Sequence, residues 1–212
     1  MMFSTWLAQR LRSPLPGREA HRRFVPNIKD ADLRLAEPPM QARRSAVLVP
    51  LIETTQTDID VVLTVRSQSL SSHRGQISFP GGRLDAGETH VDAALREAYE
   101  EIGIQPSTTV VMGSLSPLYI PPSNSAVTPI VATVDPPATW ILNPAEVTEI
   151  IQLPLHSFLS DEMFAERTGI IPHIPVSVPM WDVHPTIPLW GATAMMLHEV
   201  VVLFHEFQSE VQ

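Results

Sequence analysis

The stretch FPGGRLDAGETHVDAALREAYEEIGI, Phe79 to Ile104, decides how this chain is read. Two glycines and a turn of small residues lead into a single amphipathic helix. Thr89 caps its start, with Asp92 as the capping-box partner. Gly103 supplies the left-handed residue past its end, so the spacing predicts a helix over Thr89–Ile102. At about 100° per residue, Val91, Ala94, Leu95, Ala98 and Ile102 fall in one narrow stripe that packs on a sheet. Glu97 and Glu101 lie on a flank with Glu100 beside them, and a hydrophobic core needs none of the three. Like charges at this spacing cost about a few tenths of a kcal/mol each, and they sit at the helix end that disfavours anions. A divalent cation would resolve the cluster, since grouped hard oxygen ligands are what Mg2+ or Mn2+ takes. Taken alone, an acidic helix also reads as a solvated face. The loop before it tips the balance: Gly81-Gly82 permits close backbone approach, and Glu88 can return to pair with Arg96 and fix loop against helix.

The 212 residues suit one domain of ordinary size. With 44% apolar and 17% charged residues, the chain reads as globular, not disordered. It has no cysteine, which excludes disulfides, thiolate metal sites and a cysteine nucleophile and fits a reducing, cytoplasmic setting. A net charge of −9 argues against general nucleic-acid binding. The charge is uneven: residues 1–44 carry about +5 and residues 45–212 about −14. An acidic domain that binds an anionic substrate needs divalent cations or well-placed arginines. The apolar runs are too short for a membrane span, and the first residues have no secretory h-region.

Residues 1–44 are expected to form an N-terminal helix, ended by Pro14 and Pro16, and a basic arm. Strands are expected at Ser45–Ile52 and Asp58–Thr64, joined as a hairpin, then at Ile77–Phe79, Val110–Leu115, Val127–Val134 and Val147–Leu153. Residues 67–76 read as a polar loop. A short helix is expected from Pro154, broken edge strands within Ile170–Val183, and a long helix over Ala192–Phe207. Strands interleaved with few helices predict an α/β sandwich around a mixed sheet.

Gly82, Glu88 and the run Arg96-Glu97-Ala98-Tyr99-Glu100-Glu101-Ile102-Gly103-Ile104, at their spacing, match the whole Nudix box without a departure. The chain resembles the Nudix hydrolases over roughly residues 45–200. That resemblance implies an α/β Nudix fold, an α/β/α sandwich around a mixed β-sheet, occupying residues 45–212. It implies hydrolysis of a nucleoside diphosphate linked to another moiety, with Mg2+ or Mn2+. Carried over by position, Glu97 and Glu101 are the main metal ligands and Glu100 a further or water-mediated one. Glu88, Arg96 and Gly103 support the box. Water attacks phosphorus and a carboxylate takes its proton, either Glu97 or a glutamate outside the box.

The preceding stretch, LTVRSQSLSSHRGQISFPGG (Leu63–Gly82), resembles the coenzyme A pyrophosphatase branch at Arg66, Ser67, His73, Gly75, Gln76, Phe79 and Pro80. It departs at Ser71, where that branch usually has Arg; Arg74 is the nearest substitute. Segments at Ser125–Val131, Asn143–Val147 and Leu189–Ala194 also look like this branch. The substrate implied is CoA or acyl-CoA. Expected to meet it are Arg66, as a phosphate fork, His73 as a phosphate contact or an acid or base, and Gln76, Gly81 and Gly82. Glu146, opening a strand after a Pro-containing turn, is the expected extra ligand or base. Trp140, Trp181 and Tyr119 are weighed for stacking on adenine against plain core packing, and Trp190 for core packing. The alternatives are a Nudix hydrolase of ADP-ribose, dinucleoside polyphosphates or modified nucleoside triphosphates, and a non-catalytic Nudix-fold binding protein. Homodimerisation is a family habit and a further expectation. No HExxH, GxSxG or Walker pattern competes.

Overall fold

The computed structural model describes residues 2–28, 33, 35–55, 58–70, 73–136, 139–171 and 175–211. Strand β1 (Arg43–Glu53) organises the molecule. Its residues alternate between two cores, as the two-residue period of a strand requires. Ala46, Leu48 and Ile52 face one, and Val49 and Leu51 the other. β2 (Ile59–Arg66) returns antiparallel to β1 as the expected hairpin, and β7 (Ser125–Thr133) runs parallel on the other side. β3 (Ile77–Ser78) and β8 (Val147–Pro154) pair with β2. β4 (Gly81–Arg83) pairs with β1, while β5 (Val110–Ser114) and β6 (Leu118–Ile120) pair with β7. The eight strands form one mixed sheet.

One face is covered by α3 (His90–Ile102). Thr89 caps it, the capping box with Asp92 is present, and Gly103 at φ 78° ends it. Ala93, Ala94, Ala98 and Ile102 are buried there against Ala46, Leu48, Val62 and Ile130. Val91 and Leu95, expected in the central stripe, pack at its margin, and Ala93 takes the fully buried place.

The other face is covered by α4 (Gly191–Val211) with α1 (Phe3–Arg10) and α2 (Gly17–Arg22). The expected N-terminal helix is therefore packed into the fold. Phe3, Trp6 and Leu7, spaced as one face of a helix, are buried with Phe204 and Phe207 of α4. Two cations of the N-terminal segment meet acids elsewhere in the fold: Arg10 pairs with Glu206 at 2.7 Å and Arg23 pairs with Asp161. A second tie is buried. Glu199 of α4 accepts from the Gly17 amide (2.9 Å) and the Ser116 hydroxyl (2.7 Å), and lies 3.0 Å from His21 Nε2. A charged residue at the centre of an apolar helix is admissible only when satisfied in this way.

The expected broken edge strands around Ile170–Val183 are corrected by a small second sheet. In it β10 (Val178–Trp181) is central, between β9 (Phe164–Arg167) and β11 (Leu189–Trp190). Pro179 is tolerated in it because β11 reaches only Met180 and Trp181. Residues 172–174, inside that stretch, lie outside the described residues. No helix among the described residues is long and apolar enough to cross a membrane.

Candidate active site

Glu97, Glu101 and Glu146 converge: each offers a carboxylate oxygen, and the three atoms lie within 4.8 Å of one another. Two come from neighbouring turns of α3. The third arrives because the loop before β8 docks on the helix end. The Asn143 amide donates to the Glu101 carbonyl at 2.9 Å, using an acceptor that a helix C-terminus leaves open. The Asn143 side chain then holds Glu146, Nδ2 to Oε1 at 3.3 Å, and the Ser67 amide donates to the Glu146 carbonyl at 2.7 Å. In the sequence Asn143 is only part of a segment that resembles the coenzyme A branch, and its positioning role has no signature there.

Glu100 is not brought into this group. Half exposed, it accepts from Arg96 Nη1 at 3.2 Å. Arg96 is the hub of the support. It grips Glu88 with Nε at 2.7 Å and Nη2 at 3.0 Å, holds Glu97 with Nη1 at 2.9 Å, and donates to the Arg83 carbonyl at 3.0 Å. This fork, with the Asp85 amide, brings the Glu88 carboxyl down to about 2. The expected clamp of loop against helix is thus present.

Burial acts the other way on the central carboxylates. Glu101 is 1% exposed and its carboxyl is pushed up to about 8, by burial first and by the charges of Glu97 and Glu146, against the pull of Arg66. Glu97 is also raised, by burial and by Glu100 and Glu146, while Arg96 opposes. The nearest cation to Glu101 is Arg66, Nη1 to Oε1 at 3.6 Å. Three carboxylates facing one another, Glu101 buried and Glu97 and Glu146 half-buried, form the hard oxygen set that a divalent cation neutralises.

Arg66 stands at the end of β2, where the pairing with β8 slips: Val65 faces Glu149 but Arg66 faces Val147. A bulge of this kind turns a side chain out of the strand's alternation and is common beside active sites. The Arg66 Nε is buried and has no hydrogen-bond partner among the described residues. The loop after it is closed by Arg66 N to the Gln76 carbonyl at 2.9 Å and Gly75 N to the Arg66 carbonyl at 3.0 Å. His73 holds φ 55°, a rare conformation for a non-glycine residue, with Nδ1 2.9 Å from Gln76 Oε1. Ser71 lies outside the described residues.

Arg66, His73, Gln76, Phe79, Gly81 and Gly82 line one cavity of about 470 Å³. β4 separates it from the carboxylates, and β4 opens with two residues that lack side chains. A Cβ on Gly82 would stand 2.4 Å from Glu97 Oε1, and one on Gly81 would stand 2.4 Å from the Ala46 carbonyl. The Gly81 amide points at Glu101 Oε2, 3.3 Å away. The remaining lining includes Ile120, Ile171, Met196 and Trp190, so Trp190 is a cavity wall and not core packing. The other aromatics considered for stacking are elsewhere. Trp181 is buried 4.2 Å from Phe24, Trp140 packs beside the α3 core, and Tyr119 bonds Asn124 at 3.1 Å. Arg83, passed over in the sequence, also lines the cavity.

The NUDIX domain model matches residues 42–174. The chain is 36% identical to a Yersinia pestis protein described as an uncharacterized Nudix hydrolase, NudL, over 74% of this chain and 78% of that one. It is 29% identical to Nudix hydrolase 3 of Caenorhabditis elegans, over 89% of this chain and 86% of the relative. The solved structure of RenU, a Nudix hydrolase from M. smegmatis, superposes with a TM-score of 0.50 at 16% identity, over 80% of this chain and 88% of that one. The chain belongs to the Nudix family. It is a hydrolase of the class that acts on phosphorus-containing anhydrides in small nucleotide derivatives, a family whose members use divalent metal ions.

Proposed function

We propose that this protein hydrolyses the diphosphate of CoA or acyl-CoA to 3′,5′-ADP and 4′-phosphopantetheine or its acyl form. One observation carries the reading. Arg66, His73, Gln76 and Phe79, which mark the coenzyme A branch apart from the Nudix box, line the same cavity as Gly81 and Gly82. That cavity joins a polar wall from the loop after β2 to an apolar wall of Ile120, Ile171, Trp190 and Met196. Such a lining suits a diphosphate carrying a long, weakly polar arm.

In this reading Glu97, Glu101 and Glu146 hold Mg2+ or Mn2+, and Glu100 steadies Arg96 instead of serving as a ligand. When bound, the ion neutralises charge on the phosphoryl oxygens and lowers the pKa of a water it carries. Arg66 offers its unpartnered Nε to a phosphate oxygen. Gly81 and Gly82 let the diphosphate approach the main chain. A water oxygen bonds to phosphorus as the bridging P–O bond breaks, and the proton of that water passes to a carboxylate at Glu97 or Glu146.

The test is a product assay. The protein is incubated with Mg2+ or Mn2+ and, separately, CoA, acetyl-CoA, ADP-ribose and a diadenosine polyphosphate, and products are read by mass spectrometry. Release of 3′,5′-ADP from the CoA substrates well above turnover of the others is the expected result. Strong turnover of ADP-ribose or the dinucleotide with CoA intact overturns the substrate and leaves the Nudix chemistry standing.

A further inference from the structure

A second hollow, of about 700 Å³, opens beside the first and is walled by Arg43, Arg44, Arg83 and the turn from Leu84 to Glu88. Arg83 lines both spaces. The three arginines are brought together by strand pairing. Ser45 of β1 stands opposite Arg83 of β4, so Arg43, two residues back on β1, is the diagonal neighbour of Arg83. Such positions lie about 7–8 Å apart and are within reach of long side chains on one face of a sheet. Arg44 is anchored by its carbonyl, which accepts from the Leu84 amide at 3.2 Å.

All three side chains are exposed. Among the described residues, Arg43 and Arg83 have no ion-pair partner, and Arg44 reaches only His90 Nδ1 at 3.5 Å. The acids on the wall do not answer them. Glu88 is held by both arms of Arg96, and Asp85 also leans to Arg96, at 3.9 Å. In a chain of net charge −9, three neighbouring arginines left without a carboxylate are an anomaly. It lies one strand away from the three gathered carboxylates. Guanidinium groups so placed suit a phosphate, which they can fork.

We propose that Arg43, Arg44 and Arg83 form a phosphomonoester subsite that takes the phosphate of the substrate that is not cleaved, the ribose 3′-phosphate of a CoA-type nucleotide. This assignment of the ligand rests on the function proposed above. With the diphosphate at Gly81–Gly82, the next residue along β4 is Arg83. A 3′-phosphate on the ribose that carries that diphosphate is thereby led into the arginine hollow, while the pantetheine arm takes the apolar wall. The net positive charge of the N-terminal 44 residues then has a local use at their end, in Arg43 and Arg44, and the cations of α1 and α2 play no part in it.

Isothermal titration with 3′,5′-ADP and with 5′-AMP, in Mg2+ buffer and on the full chain, tests this independently of turnover. Wild type is expected to bind 3′,5′-ADP at least about tenfold more tightly, a difference of about 1.4 kcal/mol. In the Arg43→Gln/Arg83→Gln double variant that ratio falls to within about twofold, and Arg44→Gln alone lowers it by a smaller factor. Equal binding of the two nucleotides by wild type, or a preference that survives in the double variant, overturns the subsite. If CoA is cleaved but the preference is absent, the subsite falls and the proposed function stands. If CoA is left intact but the preference is present and arginine-dependent, the phosphate subsite stands and the substrate reading falls.

Discussion

Replacing Gly82 by Ala puts the close packing of β4 against Glu97 to the test. The added methyl would lie 2.4 Å from Glu97 Oε1, 2.6 Å from its Cδ and 2.8 Å from Oε2. Ordinary carbon–oxygen contact needs well over 3 Å, so the carboxylate must retreat by about 1 Å, a displacement that can cost about 10²-fold in rate. The backbone of Gly82 is not in the left-handed region, so alanine brings no torsional penalty there. Nor can Glu97 swing away freely, because Arg96 holds it at 2.9 Å and is itself clamped to Glu88. The retreat is therefore transmitted to the support as well as to the carboxylate group. We expect kcat/KM on the best substrate to fall about 100-fold, close to 2.7 kcal/mol of transition-state stabilisation. The melting temperature should shift by no more than a few degrees, since Glu97 lies outside both hydrophobic cores. Steady-state kinetics with a Mg2+ titration and a thermal melt on the same preparation read both quantities. An alanine variant with more than half of wild-type activity would refute the placement of Glu97 at the reacting centre.

Glu101→Gln removes a charge without changing shape. Activity should drop at least about 100-fold and the response to added Mg2+ should flatten, while the metal-free protein melts no lower than wild type; persistence of metal-dependent turnover would show that Glu101 is not a ligand. Arg96→Lys keeps the charge but cannot grip Glu88 with two nitrogens, so turnover should fall about tenfold with a stability loss under about 1 kcal/mol; undiminished activity would mean that the clamp is incidental. At Glu199 burial raises the carboxyl, but the hydrogen bonds of His21 and Ser116, the charge of His21 and the Gly17 amide outweigh it and hold the group below its ordinary value. Its contribution is therefore complete above the unfolded carboxylate value, about 4.3, and is lost as pH falls through the lower folded value. Urea unfolding should show Glu199→Gln about 2 kcal/mol less stable at pH 7, with the gap to wild type closing in acid; a gap independent of pH would contradict the assignment. Trp6→Ala should cost about 3–5 kcal/mol, because Trp6 is buried against Phe207 with its indole N–H 2.7 Å from Glu210; a neutral result would contradict the packing of α1 on α4.

The local sequence determined what depends on near neighbours along the chain. Thr89, Asp92 and Gly103 delimit α3 by capping chemistry that needs only a few adjacent residues. Glu97, Glu101 and the Glu88–Arg96 clamp are legible for the same reason, as a spacing on one helix and the loop that enters it. The tertiary structure decided what is brought together across distance. Glu100, a further or water-mediated ligand by resemblance, turns instead to Arg96, and Glu146, the expected extra ligand or base, joins Glu97 and Glu101 because Asn143 docks on the end of α3. Glu199 is an ordinary acid in the sequence and becomes the buried anchor of α2 through residues 178 and 83 positions away. The arginine hollow exists only because antiparallel pairing sets Arg83 across from Ser45. Hydrogen-bonded turns and helix faces are properties of a segment, whereas burial, charge compensation and the walls of a cavity are properties of the packed chain.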